Sequence, residues 1–103
     1  MDFNPNAGAP ISYDDAKKLI AAFKAKYPGQ TEAVYLGRET FERALAVPNA
    51  AGIRAYFGLT PEGYTTLILV PTDKDNNSIT SDGGGTTLGE YGQPCPPVCA
   101  KGF

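Results

Sequence analysis

The sequence predicts an α+β fold in which two helices pack on a small antiparallel sheet centred on a β-hairpin, with an irregular Gly/Pro-rich C-terminal tail. Three observations predict it. Apolar residues recur at helical spacing along residues 16–27 and again along 41–45. Two apolar stretches, 53–59 and 64–70, flank the turn signal Thr60-Pro61-Glu62-Gly63. From Ser81 onward, glycines and prolines interrupt any regular pattern.

The elements follow in order. Residues 1–11, with Asn4-Pro5-Asn6, Gly8 and Pro10, read as an irregular arm. Ser12 is a suitable helix N-cap, and Asp14 and Asp15 suit the positive end of the helix that follows. Ala16, Leu19, Ile20, Phe23 and Tyr27 form its apolar stripe, and Pro28-Gly29 ends it. Ala33 to Leu36 is a short strand candidate. A second helix is expected over Arg38 to Ala46, with Phe41, Ala44 and Leu45 on one face and Pro48-Asn49 as the stop.

Pro61 and Gly63 fit a type I turn closed by a left-handed glycine. With Thr60 facing Tyr64, counting places Phe57 opposite Leu67 and Ala55 opposite Leu69. Ile53 and Leu59 share that face, which is wholly apolar and is expected to receive the helices. Tyr56 falls opposite Ile68 and Arg54 opposite Val70 on the reverse face. Asp73 to Ser78 reads as a polar turn, with a short strand expected from Ile79. The domain therefore runs over 12–80 and the cysteine-containing tail over 81–103.

Composition narrows the function classes. The chain has 103 residues, 42% hydrophobic and 19% charged, which bounds a single globular domain with a modest core. A net charge of −2 and three arginines give no general attraction to phosphate backbones or anionic membranes, so neither nucleic acid nor membrane is an expected partner. No run approaches the roughly 20 apolar residues of a bilayer span, and the start lacks a secretion signal. Cytoplasm is the default, with leaderless or processed export also open. Histidine is absent, which removes serine–histidine and cysteine–histidine catalysis. Adjacent Asp14 and Asp15 diverge by about 100° around a helix and form no facing acid–base pair. An enzyme is not expected.

Gly52-Ile53-Arg54-Ala55-Tyr56-Phe57-Gly58 and the late Cys95-Pro96-Pro97-Val98-Cys99 carry a resemblance. The chain resembles small hypothetical bacterial proteins with a two-helix beginning, a GIR-x-Y hairpin and a CPP-x-C end. That resemblance implies the same element order over most of residues 12–99, and no established activity comes with it.

Cys95 and Cys99 are the chemically pointed pair. Three readings apply: a structural disulfide, a thiolate metal site, or a redox dithiol. Tetrahedral structural zinc needs four ligands, and two cysteines without histidine supply half of them unless a dimer supplies the rest. No cofactor and no metal ligand set is therefore assigned. Asp73, Asp75 and Asn77 have the spacing that opens a calcium loop, but Ser78 and Gly84 stand where that loop needs glycine and glutamate. Gly83-Gly84-Gly85-Thr86-Thr87 lacks the lysine of a phosphate loop. Lys17, Lys18, Lys24 and Lys26 read as a solvated helix face.

Leu67-Ile68-Leu69-Val70 is a continuous apolar run, the pattern of a strand covered on both faces. Two helices cover one face. The other is sealed either by the tail, through Leu88, Tyr91, Val98 and Phe103, or by another chain. The expectation drawn is a non-enzymatic interaction or self-assembly module, an oligomer or filament subunit, with Arg54, Tyr56, Ile68 and Val70 as the interface. The alternative is a thiol-dependent metal or redox protein using Cys95 and Cys99.

Overall fold

The computed structural model describes residues 2–80, 88–90 and 92–102. The element order is α1 (Tyr13–Lys26), β1 (Ala33–Tyr35), α2 (Arg38–Leu45), β2 (Gly52–Leu59), β3 (Thr65–Thr72) and β4 (Gln93–Cys95). The fold is α+β, and its strands form two antiparallel ribbons, β2 with β3 and β1 with β4.

Helix α1 begins where the local chemistry dictates. Ser12 Oγ accepts the N–H of Asp15 at 3.1 Å, and the acidic residues of the first turn and the basic residues of the last complement the helix dipole. Gly29, at φ 80°, takes the left-handed conformation that turns the chain after it. Helix α2 starts at Gly37 without a side-chain cap and buries Ala44. It packs against both strands of the hairpin.

The hairpin has the register that counting predicts: Phe57 opposes Leu67, Ala55 Leu69, Tyr56 Ile68 and Arg54 Val70. The turn explains why. Thr60 donates its N–H to the Tyr64 carbonyl at 2.8 Å, its Oγ1 accepts from the Tyr64 N–H, and Gly63 sits at φ 92°. Beyond the hairpin, Leu69 and Gly89 exchange both backbone bonds, Ile79 donates to Pro71, and Ser78 bridges Thr72. The strand expected at Ile79 is thus reduced to a bridge. Within the expected irregular tail, Gln93–Cys95 pairs with Ala33–Tyr35.

The core is small. Ala44, Val47, Leu69, Val70, Pro71 and Cys95 are buried among the described residues. Leu69, at 2% exposed, lies between the hairpin and α2: a Cβ placed on Gly89 would meet both its side chain and that of Thr40. One expectation needs correcting here. The face of Ile53, Ala55, Phe57 and Leu59 does not receive two helices along its length. Phe57 is 82% exposed and Leu59 76%, and α1 buries none of its residues. The reason is geometric: eight-residue α2 spans only part of an eight-residue strand pair, because a helix rises about 1.5 Å per residue against 3.3 Å for a strand. Helix α1 lies beside the β1–β4 ribbon, to which Lys24 is tied through Glu32, and its Phe23 meets the hairpin face only across an open pocket shared with Phe57 and Leu67. The radius of gyration is 15.2 Å, against roughly 13 Å for a compact domain of this size.

The 73–78 segment is a turn built on one carboxylate. Asp73 Oδ1 accepts the N–H groups of Asp75 and Asn77, both at 2.9 Å. The Asn77 N–H, with smaller contributions from Asp75 and Lys74, holds the Asp73 carboxyl below its ordinary 3.8. A group whose pKa is lowered by folding stabilises the fold above its unfolded value, and the contribution is lost as pH falls through the folded value. An Asp73→Ala variant is therefore expected to melt below wild type at pH 7, with the gap narrowing once the pH drops under 3.8. Paired thermal melts at pH 7 and pH 2.5 check this; an equal gap at both would show that ionisation of Asp73 contributes nothing.

Candidate functional site

Two regions concentrate unusual surface or chemistry. The first is the outer edge of β2. A residue's N–H and C=O point to the same side of a strand, and in an antiparallel pair successive residues alternate between bonding the neighbour and facing away. Leu69 spends both groups on Gly89, so the Ala55–Leu69 rung is one of the non-bonded ones. Ala55 therefore faces outward with its backbone, and by alternation so do Ile53, Phe57 and Leu59. Among the described residues nothing pairs with this edge. Of these four residues Ala55, Phe57 and Leu59 are also exposed in their side chains, while Ile53 is half-buried.

The four residues expected to form the interface are brought together as two adjacent rungs, with unequal access. Tyr56 is 45% exposed and Ile68 is half-buried, while Val70 is only 6% exposed. Arg54 is half-buried, and its Nη2 donates to Asn76 Oδ1 of the 73–78 turn. Of the tail residues expected to cover this face, Leu88 borders a pocket with Gly58 and Ile68 but is 46% exposed, Val98 is exposed, and Tyr91 and Phe103 lie outside the described residues. What sequence reasoning missed is Phe57 and Leu59. The signal was present, since a β2 wholly apolar on one side needs a cover as long as itself.

The second region surrounds Cys95 and Cys99. Their sulfurs are at bonding distance and their Cα atoms are 4.8 Å apart, as a structural disulfide requires. The turn between them contains cis peptide bonds at Cys95-Pro96 and Pro96-Pro97 and is closed by Val98 N–H to Pro94 O at 2.9 Å. The β1–β4 pairing brings Glu32 alongside: its N–H donates to the Cys95 carbonyl at 2.7 Å, and its Oε1 lies 3.6 Å from Cys95 Sγ. A disulfide sulfur carries no proton, so in this state the latter is a contact and not a hydrogen bond. Lys24 of α1 pairs with the same Oε1 at 3.3 Å. These groups border a pocket of about 230 Å³ that Ile20, Val34 and Val98 also line. Glu32 and Lys24 are distant from the cysteines in sequence, and no spacing rule could have linked them.

The remaining candidates resolve into local roles. Asp73 serves its own turn, Lys17 and Lys26 lie over the rings of Tyr13 and Tyr27 at 5.0 and 5.8 Å, and residues 83–87 fall outside the described residues. No helix among the described residues is long and apolar enough to cross a membrane. Compared with protein-family models, with curated proteins and with solved structures, the chain finds no match.

Proposed function

We propose that the chain is a non-enzymatic self-assembly module that forms a two-fold dimer through the outer edge of β2. The observation that carries the reading is the coincidence on Phe57 and Leu59 of bare apolar side chains and unpaired backbone. Such an edge is a template for another strand.

Strand β2 is also complementary to itself. An antiparallel copy centred on Tyr56 sets Ile53 opposite Leu59 of the second copy and Ala55 opposite its Phe57, so every outward backbone group of β2 meets an outward group. Side chains of like face stay together, giving one continuous apolar surface. On the reverse side Tyr56 meets its own counterpart and Arg54 meets Gly58, so no like charges oppose one another. Lateral contact across the seam removes part of the apolar area of Phe57 and Leu59 from water, favourable by roughly 25 cal/mol per Å². The far side of β3 is already occupied by Gly89 and the 78–79 bridge, so edge pairing closes at two chains and does not propagate into a filament. Tyr56 of the expected interface keeps a place at the two-fold axis, and Val70, opposite Arg54, is buried within the chain.

Light scattering after size exclusion is expected to return twice the 10.9 kDa chain mass. Phe57→Asp should give single chains with an unchanged far-ultraviolet spectrum. Ala55→Pro should do the same, because it deletes an outward N–H and leaves the pairing with β3 intact. A wild-type chain that stays monomeric at millimolar concentration sinks the proposal, as does a dimer that tolerates both substitutions.

A further inference from the structure

We infer that Cys95, Cys99 and Glu32 form a zinc site when the cysteine pair is reduced. The inference is independent of the β2 dimer. It rests on three ligand-type atoms, a carboxylate oxygen from the residue before β1 and two sulfurs from the end of β4 and the turn after it, all within 4.8 Å of one another. With zinc–sulfur bonds of about 2.3 Å and zinc–oxygen bonds of about 2.1 Å, adjacent ligand atoms of a tetrahedral site stand about 3.6 Å apart. Glu32 Oε1 and Cys95 Sγ are already 3.6 Å apart.

The two ligands sit on a fixed frame. The Glu32 N–H to Cys95 O bond and the pairing of Ala33 with Cys95 hold both backbones in place, and Cys95 is buried. Cys99 is the ligand that has to move. Once the S–S bond is open its sulfur need only swing to about 3.8 Å from Cys95 Sγ, the separation of two thiolates on one zinc. Cys99 is exposed and borders the same open pocket, so its sulfur has solvent-filled space beside it. Two thiolates and a carboxylate carry three negative charges around a divalent ion, and Lys24, 3.3 Å from Glu32 Oε1, offsets the excess. The mixed sulfur–oxygen set suits zinc, whereas copper(I) favours thiolates alone. Three protein ligands leave a fourth position facing the pocket bordered by Ile20, Val34 and Val98.

Oxidation state gates the site. In the disulfide neither sulfur offers the lone-pair charge of a thiolate. A phosphine reductant delivers two electrons to the S–S bond and becomes the phosphine oxide, with water supplying its oxygen and the two protons that convert the sulfurs to thiols. Zinc then displaces those two protons as the thiolates coordinate. In a reducing compartment the pair would stand in the dithiol form.

The test uses the full chain reduced with a phosphine, and cobalt(II) as the visible probe for zinc. One equivalent of cobalt should produce thiolate-to-metal charge-transfer absorption with tetrahedral d–d bands, release about two protons at pH 7, and be bleached by zinc. The unreduced chain should give none of this. Glu32→Gln should weaken binding by at least about tenfold, and Cys99→Ser should weaken it further while lowering the charge-transfer intensity; circular dichroism checks that both variants fold. The inference is overturned if the reduced chain gives no charge-transfer band, if the oxidised chain binds equally well, or if Glu32→Gln binds like wild type.

Discussion

Leu69→Ala is expected to lower unfolding stability by about 2–5 kcal/mol, the range for truncating a fully buried leucine. Few positions here have that leverage. Leu69 is 2% exposed, faces only Ala55 across the hairpin, and joins the hairpin to α2 through Gly89 and Thr40. The core contains few other large aliphatics, so a cavity at Leu69 has little around it that can collapse inward. Against a total of roughly 5–15 kcal/mol, the loss threatens the fold itself. Urea titration should show a lower midpoint at unchanged slope. The contrasting control lies on the same face. Phe57→Ala should leave the stability of the isolated subunit within about 0.5 kcal/mol, because its ring is in water. Equal losses at the two positions would mean that Phe57 is covered within its own chain, and the dimer proposal would fall with that result.

Gly92→Ala is the second large effect, expected at about 1–3 kcal/mol, the range for overpacking a tight contact. A Cβ on Gly92 would stand 2.4 Å from Val34 Cγ1 and 2.7 Å from the Tyr35 carbonyl oxygen. The valine methyl can be rotated aside; the backbone oxygen cannot. Strands β1 and β4 would have to part, and a two-stranded ribbon has little stability to spare. The melting temperature should fall by about 4–24 °C, at 4–8 °C per kcal/mol for a domain of this size. Because the same ribbon sets Glu32 against Cys95, cobalt affinity should fall with it. A Gly92→Ala chain that melts like wild type would show that the ribbon contributes nothing to the fold.

The dimer edge and the sulfur site lie on different ribbons, so each can fail alone. Phe57→Asp should abolish dimerisation and leave cobalt binding intact, and Glu32→Gln should do the reverse.

The hairpin was legible because its information is local. Thr60-Pro61-Glu62-Gly63 sets the turn, the turn sets the register, and the pleat then assigns Arg54, Tyr56, Ile68 and Val70 to one face without any tertiary knowledge. Helix α1 was equally legible, since Ser12, Asp14, Asp15 and the Pro28-Gly29 stop all act within a turn or two of the residues they influence. Strand β4 was not. Pro94 argues against any strand, yet a two-stranded ribbon has only edges, and Pro94 sits opposite Val34 on one of them.

By itself the sequence determined the element types, the hairpin register and the absence of histidine chemistry, because each depends on neighbours along the chain or on composition. Tertiary structure alone decided which apolar face stays bare, since that turns on how far a short α2 reaches along a longer β2. It alone also decided that Glu32 and Lys24 join Cys95 and Cys99, a meeting set by how β1 docks on β4 across some sixty intervening residues.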